Sequence, residues 1–204
     1  MPLNFVSSGS GGSPFIRFSV EDNEWLRSSE EGELETVDLA TNPVMIDIER
    51  VRQGWLKLQG GRDWVEWPDN DPTQCAKPSD AHKEGVSVDF YSTKLFGDEP
   101  VREFCSSQEG SKVFIKQLYD ACEEKFGSGQ VPIIKLTGSN KVKMGRGNTR
   151  IPTFEVVGWK DRPDDLNVGV AGTTIDTSSK SAAKSAPVAE AESGSSGDIN
   201  FDEI

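Results

Sequence analysis

Apolar positions along the chain come in short bursts, separated by glycine, proline and acidic stretches. Val44-Met45-Ile46-Asp47-Ile48 follows Pro43 and has the composition of a strand start. Gly54-Trp55-Leu56-Lys57-Leu58 comes next, then Gly60-Gly61 and Asp63-Trp64-Val65-Glu66-Trp67. Trp64 and Trp67 lie three apart, so they do not share one face of a strand. Residues 68–80 are rich in Pro, Asp and Ser and predict a loop. Val86-Ser87-Val88-Asp89-Phe90-Tyr91 alternates apolar and polar for most of its length, and residues 101–105 can pair with it across Gly97-Asp98-Glu99-Pro100. One helix is well marked. Ser106 and Glu109 have capping-box spacing, Phe114, Leu118, Ala121, Cys122 and Phe126 follow at helical intervals, and Gly127 stands where a terminating glycine would. Val131-Pro132-Ile133-Ile134-Lys135-Leu136 reads as a strand. A polar, glycine-bearing, basic run over 137–150 follows it, and residues 151–159 form the last strand candidate.

The tally is mainly β: strands near 44–50, 52–58 and 86–96, a helix near 107–126, then strands near 131–137 and 151–159. An OB-like five-stranded barrel places its single helix between strands 3 and 4, and its 1–2 and 4–5 loops frame the binding face. An α+β sheet with one packed helix accommodates the same elements; the OB-like barrel is the expectation adopted. Its core spans residues 1–165. Within it, residues 7–13 (SSGSGGS) form a flexible loop. Residues 166–197 are dominated by Ser, Ala, Thr, Gly and acids. They offer too little apolar surface to offset ordering entropy, which predicts a disordered linker. The last seven residues, DINFDEI, break that pattern by setting Ile199, Phe201 and Ile204 among carboxylates.

Composition narrows the function. No run approaches the ~18 to 20 apolar residues of a membrane-spanning helix. Met1 is followed by Pro2-Leu3-Asn4, without the basic and apolar regions of a secretory signal. Cys75, Cys105 and Cys122 are odd in number and widely spaced, which suits a reducing cytosol. The 204 residues carry a net charge of −12, which by itself argues against nucleic acid. Position reverses that inference. In residues 1–50, ten carboxylates face three arginines, a net of −7. In residues 133–162, Lys135, Lys141, Lys143, Arg146, Arg150, Lys160 and Arg162 face Glu155 and Asp161, a net of +5. Residues 166–204 return to −4. Such asymmetry says more than the total.

Catalytic chemistry is not visible. His82, the sole histidine, sits in a loop-like Asp80-Ala81-His82-Lys83-Glu84 context and reads as a solvated side chain. It makes no nucleophile triad. Cys75 and His82 lack the paired partners a zinc site needs, and no phosphate-binding glycine loop is present. The expectation is a protein that is not an enzyme, with no catalytic residues, no metal and no cofactor.

Binding chemistry is visible. Residues 135–162 combine the basic side chains with Phe154 and Trp159, while Trp55, Trp64 and Trp67 cluster near the expected 1–2 loop with Arg62 beside them. Cations that neutralise phosphates and aromatic faces that stack on bases are the two means of holding a single strand without sequence preference. Lys135, Lys141, Lys143, Arg146 and Arg150 are the phosphate candidates; Trp55, Trp64, Phe154 and Trp159 are the stacking candidates. The tail has its own chemistry. Asp198, Asp202 and Glu203 suit a basic pocket, and Ile199, Phe201 and Ile204 suit an apolar groove.

The late basic hairpin, the linker and the acidic DINFDEI terminus together resemble the single-stranded DNA-binding proteins of bacteria and bacteriophages. The run Arg150-Ile151-Pro152-Thr153-Phe154-Glu155-Val156-Val157-Gly158-Trp159-Lys160-Asp161-Arg162-Pro163 is similar to the end of the core domain in phage-type members. The resemblance implies an OB fold and cooperative coating of single-stranded DNA in replication or recombination. It also implies recruitment of partner proteins by a tail that competes with DNA, in the cytoplasm of a bacterium or phage-infected host. The tail departs from the bacterial pattern, because Phe201 is followed by Asp202-Glu203-Ile204 rather than standing in a terminal proline–phenylalanine pair. Two other readings remain: an acidic protein–protein interaction module, such as a virion or regulatory protein, and a DNA mimic built on residues 21–38, which the resemblance does not explain.

Overall fold

The computed structural model describes residues 14–29, 32–144 and 147–168. Their strands are β1 (Phe15–Ser19), β2 (Glu24–Ser28), β3 (Leu34–Val37), β4 (Val44–Ile46), β5 (Arg52–Lys57), β6 (Asp63–Glu66), β7 (Lys83–Tyr91), β8 (Val101–Ser106), β9 (Gln130–Met144) and β10 (Gly147–Asp161). The helices are α1 (Thr93–Phe96), α2 (Glu109–Cys122) and α3 (Asp165–Val168). All ten strands join one mixed sheet in the order β10-β9-β4-β7-β8-β1-β2-β3, with β5 also on β7 and β6 outside β5. Only β1 and β8 run parallel among the described pairs.

This corrects the expected five-stranded OB-like barrel. The predicted strands are present, and α2 lies between β8 and β9. A barrel, however, must spend the outer edge of β8 on β10 to close. Here β1 takes that edge, pairing Phe15 with Glu103 and Ile16 with Phe104, and β2 and β3 extend the sheet beyond it. Once those N–H and C=O groups are paired, nothing remains to close on. β1–β3 escaped sequence inspection because their apolar residues are few. Ile16, Phe18, Trp25 and Val37 are buried among exposed carboxylates at Glu24, Glu33 and Glu35.

β7 holds the sheet together by sharing one edge between two strands. β5 pairs with residues 83–87 of it and β4 with Phe90 and Tyr91. Between β4 and β5 a short 3-10 turn, Ile48–Arg50, inserts the buried Ile48 into the core. The expected strand over 86–96 stops at Tyr91. Ser92 then caps α1 by accepting the Leu95 N–H at 3.2 Å, so that Phe96 turns back into the core.

α2 covers one face of the sheet. Phe114, Ile115, Leu118 and Cys122 are buried against Val88, Phe90, Phe104 and Trp25. The Trp25 ring sits 5.3 to 5.6 Å from Phe18, Phe90 and Phe104. Each such side chain contributes about 1.5–3 kcal/mol on burial. Ala121, expected on the apolar stripe, is exposed. The expected capping box does not form either: Ser106 Oγ accepts the Gln108 N–H at 3.2 Å, just outside the helix. Gly110 sits where a Cβ would collide with the Arg150 carbonyl, so α2 and β10 meet backbone to backbone. A smaller cluster of Met45, Val101, Val131 and Leu166 packs elsewhere on the sheet, joined by Tyr91 and Ile133. Leu166, assigned from sequence to the start of the linker, is therefore buried. Among the described residues no helix is long and apolar enough to cross a membrane.

Candidate functional site

β9 and β10 are both longer than the strands around them. β9 pairs with β4 only at Ile133 and Ile134, and from Gly138 to Met144 its partner is β10. The outer part of the pair is therefore a two-stranded arm. Its register sets Lys141 opposite Arg150 and Lys143 opposite Asn148. Since residues two apart in a strand share a face, Lys141, Lys143 and Arg150 present their charges on one side of the arm. Lys141 and Lys143 are exposed, and Arg150 is half-buried, its Nη1 3.4 Å from Ser139 Oγ. Ser139 Oγ in turn donates to Asn23 Oδ1 in the β1–β2 turn. A shallow notch there is lined by Val20, Glu21, Lys141, Asn148, Thr149 and Arg150, so a carboxylate stands beside two of the cations.

The remaining sequence-predicted residues are not gathered at this arm. Lys135 lies below a register shift in the hairpin and faces Glu155 across the strand pair. Phe154 packs edge-on against Phe114 of α2 at 5.8 Å and belongs to the core. Trp159 packs against the same core, with Lys125 Nζ 5.0 Å above its ring. Trp55 makes an edge contact with Trp67 at 5.2 Å and donates its indole N–H to the Cys75 carbonyl at 3.0 Å. Trp64 lies over Gly54 and Gly85, where any side chain would meet its ring. All four aromatics are half-buried. Arg146 and the tail residues Asp198, Ile199, Phe201, Asp202, Glu203 and Ile204 lie outside the described residues, as do the loop at 7–13 and the linker beyond Val168.

The sheet face away from α2 carries a polar assembly that sequence reasoning did not assign. Arg52 on β5, Ser87 and Asp89 on β7, and Glu103 and Cys105 on β8 share that face by register. Arg52 Nη2 donates to Ser87 Oγ at 3.0 Å and Asp89 Oδ1 at 3.2 Å, and lies 3.4 Å from Glu103 Oε1. Arg62, from the β5–β6 turn, donates to the same Glu103 oxygen at 2.5 Å, as does Ser87 Oγ. Glu103 is only 5% exposed, and Arg52, Arg62 and Ser87 supply the partners that a buried carboxylate requires. Burial pushes the Asp89 carboxyl up to about 6, opposed by Arg52 and reinforced by Glu103 and Asp47. Burial likewise pushes the Cys105 thiol up to about 11, which keeps it protonated. Asp47 is buried beside them and pairs with Arg162, which also reaches Glu49 at 3.2 Å. The signal for this assembly was present in the alternation: Ser87, Asp89, Glu103 and Cys105 occupy the strand positions opposite the core.

His82 also departs from expectation. It is 3% exposed rather than solvated, with Nδ1 2.8 Å from Ser79 Oγ and Nε2 3.2 Å from Asp63 Oδ2. It ties the 68–82 loop to β6.

No family model, curated protein or solved structure matches the chain. Among the described residues, no group of three or more His, Cys, Asp or Glu side chains is placed to hold a metal ion.

Proposed function

We propose that this protein binds single-stranded DNA without catalysing a reaction on it, coating exposed strands during replication or recombination in a bacterial or phage-infected cytoplasm. The observation that carries the reading is the arm. Its register sets Lys141, Lys143 and Arg150 on one side of a paired β-ribbon. Cations aligned along a ribbon track a phosphate backbone and release its counterions. Residues 198–204 recruit partner proteins of replication or recombination in this reading.

Titrating the full chain with an unstructured oligonucleotide tests it. At low salt, binding should quench tryptophan fluorescence, weaken steeply as salt rises, and fall at least about tenfold in Lys141→Glu/Lys143→Glu. A chain that binds no oligonucleotide at low salt, even with residues 190–204 removed, ends the proposal.

One observation favours a second reading. β2 and β3 close one end of the sheet with exposed carboxylates at Glu24 on β2, Glu35 on β3 and Glu33 just before β3, a surface suited to a basic protein partner. Under that reading the Lys141→Glu/Lys143→Glu chain retains its partner.

A further inference from the structure

Basic and aromatic side chains do converge in this molecule, at a distance from the arm. The strand order β6-β5-β7-β8-β1 brings Trp64, Arg52, Ser87, Glu103 and Phe15 onto one sheet face. Trp64 stands opposite Leu56, two residues from Gly54, which pairs with Gly85. Phe15 stands opposite Glu103 and is 39% exposed. Arg17, two residues on, shares that face and is exposed. Between the two aromatics lie the Arg52 and Arg62 guanidiniums, with side chains 33% and 36% exposed, above a Glu103 side chain that is only 7% exposed.

Both guanidiniums meet Glu103 through Nη2. A guanidinium carries five N–H donors in a planar fork, so each keeps donors for a second acceptor. The carboxylate beneath fixes the two forks side by side, which lowers the ordering cost when a phosphate bridges them. Gly54 and Gly85 give the flanking indole a flat seat at a fixed height. The distance from β6 to β1 is four strand spacings, about 19 Å.

We propose that this face, from Trp64 across Arg62 and Arg52 to Phe15, is a second contact track for single-stranded DNA, taking phosphates on the two guanidiniums and bases against Trp64 and Phe15. The track extends the DNA-binding reading above and rests on it. It makes the arm and the sheet face two separate contacts on one strand.

The test uses the full chain and a fluorescein-labelled oligothymidylate about 20 nucleotides long. Arg62 stands on a turn, and Glu103 keeps Arg52 and Ser87 when it is lost, so Arg62→Gln should still fold cooperatively, with its unfolding temperature lowered, and binding is compared well below that temperature. Its affinity should fall about five- to tenfold and its salt slope by about 1. Arg62→Lys should recover only part of the loss, since it restores the charge without the fork. An Arg62→Gln chain with wild-type affinity and slope, alongside a weakened Lys141→Glu/Lys143→Glu chain, overturns the track and leaves the DNA-binding reading standing. Absence of binding at low salt, by the wild type and by the chain without residues 190–204 alike, overturns both. Photocrosslinking of the wild-type chain to a 5-iodouridine oligonucleotide decides the matter without any variant. Adducts at Trp64 or Phe15 support the track, and adducts confined to residues 138–153 overturn it.

Discussion

β7 and β8 have two faces that solve burial in opposite ways. Toward α2, Val88, Phe90 and Phe104 meet Phe114, Leu118 and Trp25 in a packed apolar core. On the reverse, Ser87, Asp89 and Glu103 meet Arg52 and Arg62 in a network of charges. The alternation that puts one set inside puts the other outside. The first face supplies most of the stability, because apolar burial is non-directional and desolvates no charge. The second face gains little net stability from its ion pairs, yet loses much when one partner is removed. It also orients groups that keep donors toward solvent, which the first face does not offer.

Breaking the apolar face should have the largest effect. Phe104→Ala removes a ring that touches both Trp25 and Phe90 and should cost about 3–5 kcal/mol in chemical denaturation. A loss below about 1 kcal/mol would mean that Phe104 is not central to the packing. Next comes Glu103→Ala, which leaves Arg52 and Ser87 facing an empty position and should cost about 3 kcal/mol by the same measurement. If it proves neutral, the charged face contributes orientation alone.

A smaller effect sharpens the contrast through pH. The Asp89 carboxyl titrates at about 6 in the fold against an ordinary 3.8. Between those values the folded chain binds the proton and the unfolded chain does not. The stability this group contributes is therefore complete below about 3.8 and is lost as pH rises through about 6. The groups around it are Arg52, Glu103, Asp47 and Arg62. Asp89→Asn cannot ionise, so its stability relative to wild type should improve between pH 5 and pH 7.5 by something of order 1 kcal/mol. Parallel melting curves at the two pH values read this directly, and an unchanged difference refutes it. The smallest expected effect on folding belongs to the arm. Lys141→Glu/Lys143→Glu should leave the unfolding free energy within about 0.5 kcal/mol of wild type, although it is expected to weaken DNA binding. A large loss would make the arm part of the fold rather than a surface attached to it.

Elements with strong local patterns were legible in the chain. α2 shows its apolar positions at Phe114, Leu118 and Cys122, and the β9–β10 hairpin shows two strand-forming runs around a basic polar segment. The pairing of Val101–Ser106 with β7 follows the alternation in Val86-Ser87-Val88-Asp89-Phe90. Other features left weak signals. β1, β2 and β3 contribute one or two buried side chains each, too few to stand out from their carboxylates. His82 sits in a polar segment, and nothing local announces that Ser79 and Asp63 will enclose it. Leu166 looked like the first residue of a linker, since Met45, Val101 and Val131, which bury it, lie far away in sequence. The candidate site divided in the same way. The cations of the arm were legible as a cluster because they are neighbours in sequence. The group formed by Arg52, Arg62 and Glu103 spans three separate segments and was not.

The sequence by itself determined the strand-rich character, the single long helix, the reversal of charge along the chain and the side-by-side basic residues of the arm. Each of these depends on residues close together, where period and propensity act directly. The tertiary structure decided that β1 takes the edge of β8 and leaves the sheet unclosed, that Phe154 and Trp159 face the core, and that two arginines share one buried glutamate. Those outcomes depend on which distant segments compete for the same edge or the same face. That competition is settled by pairing and packing between residues dozens of positions apart, about which a local pattern carries no information.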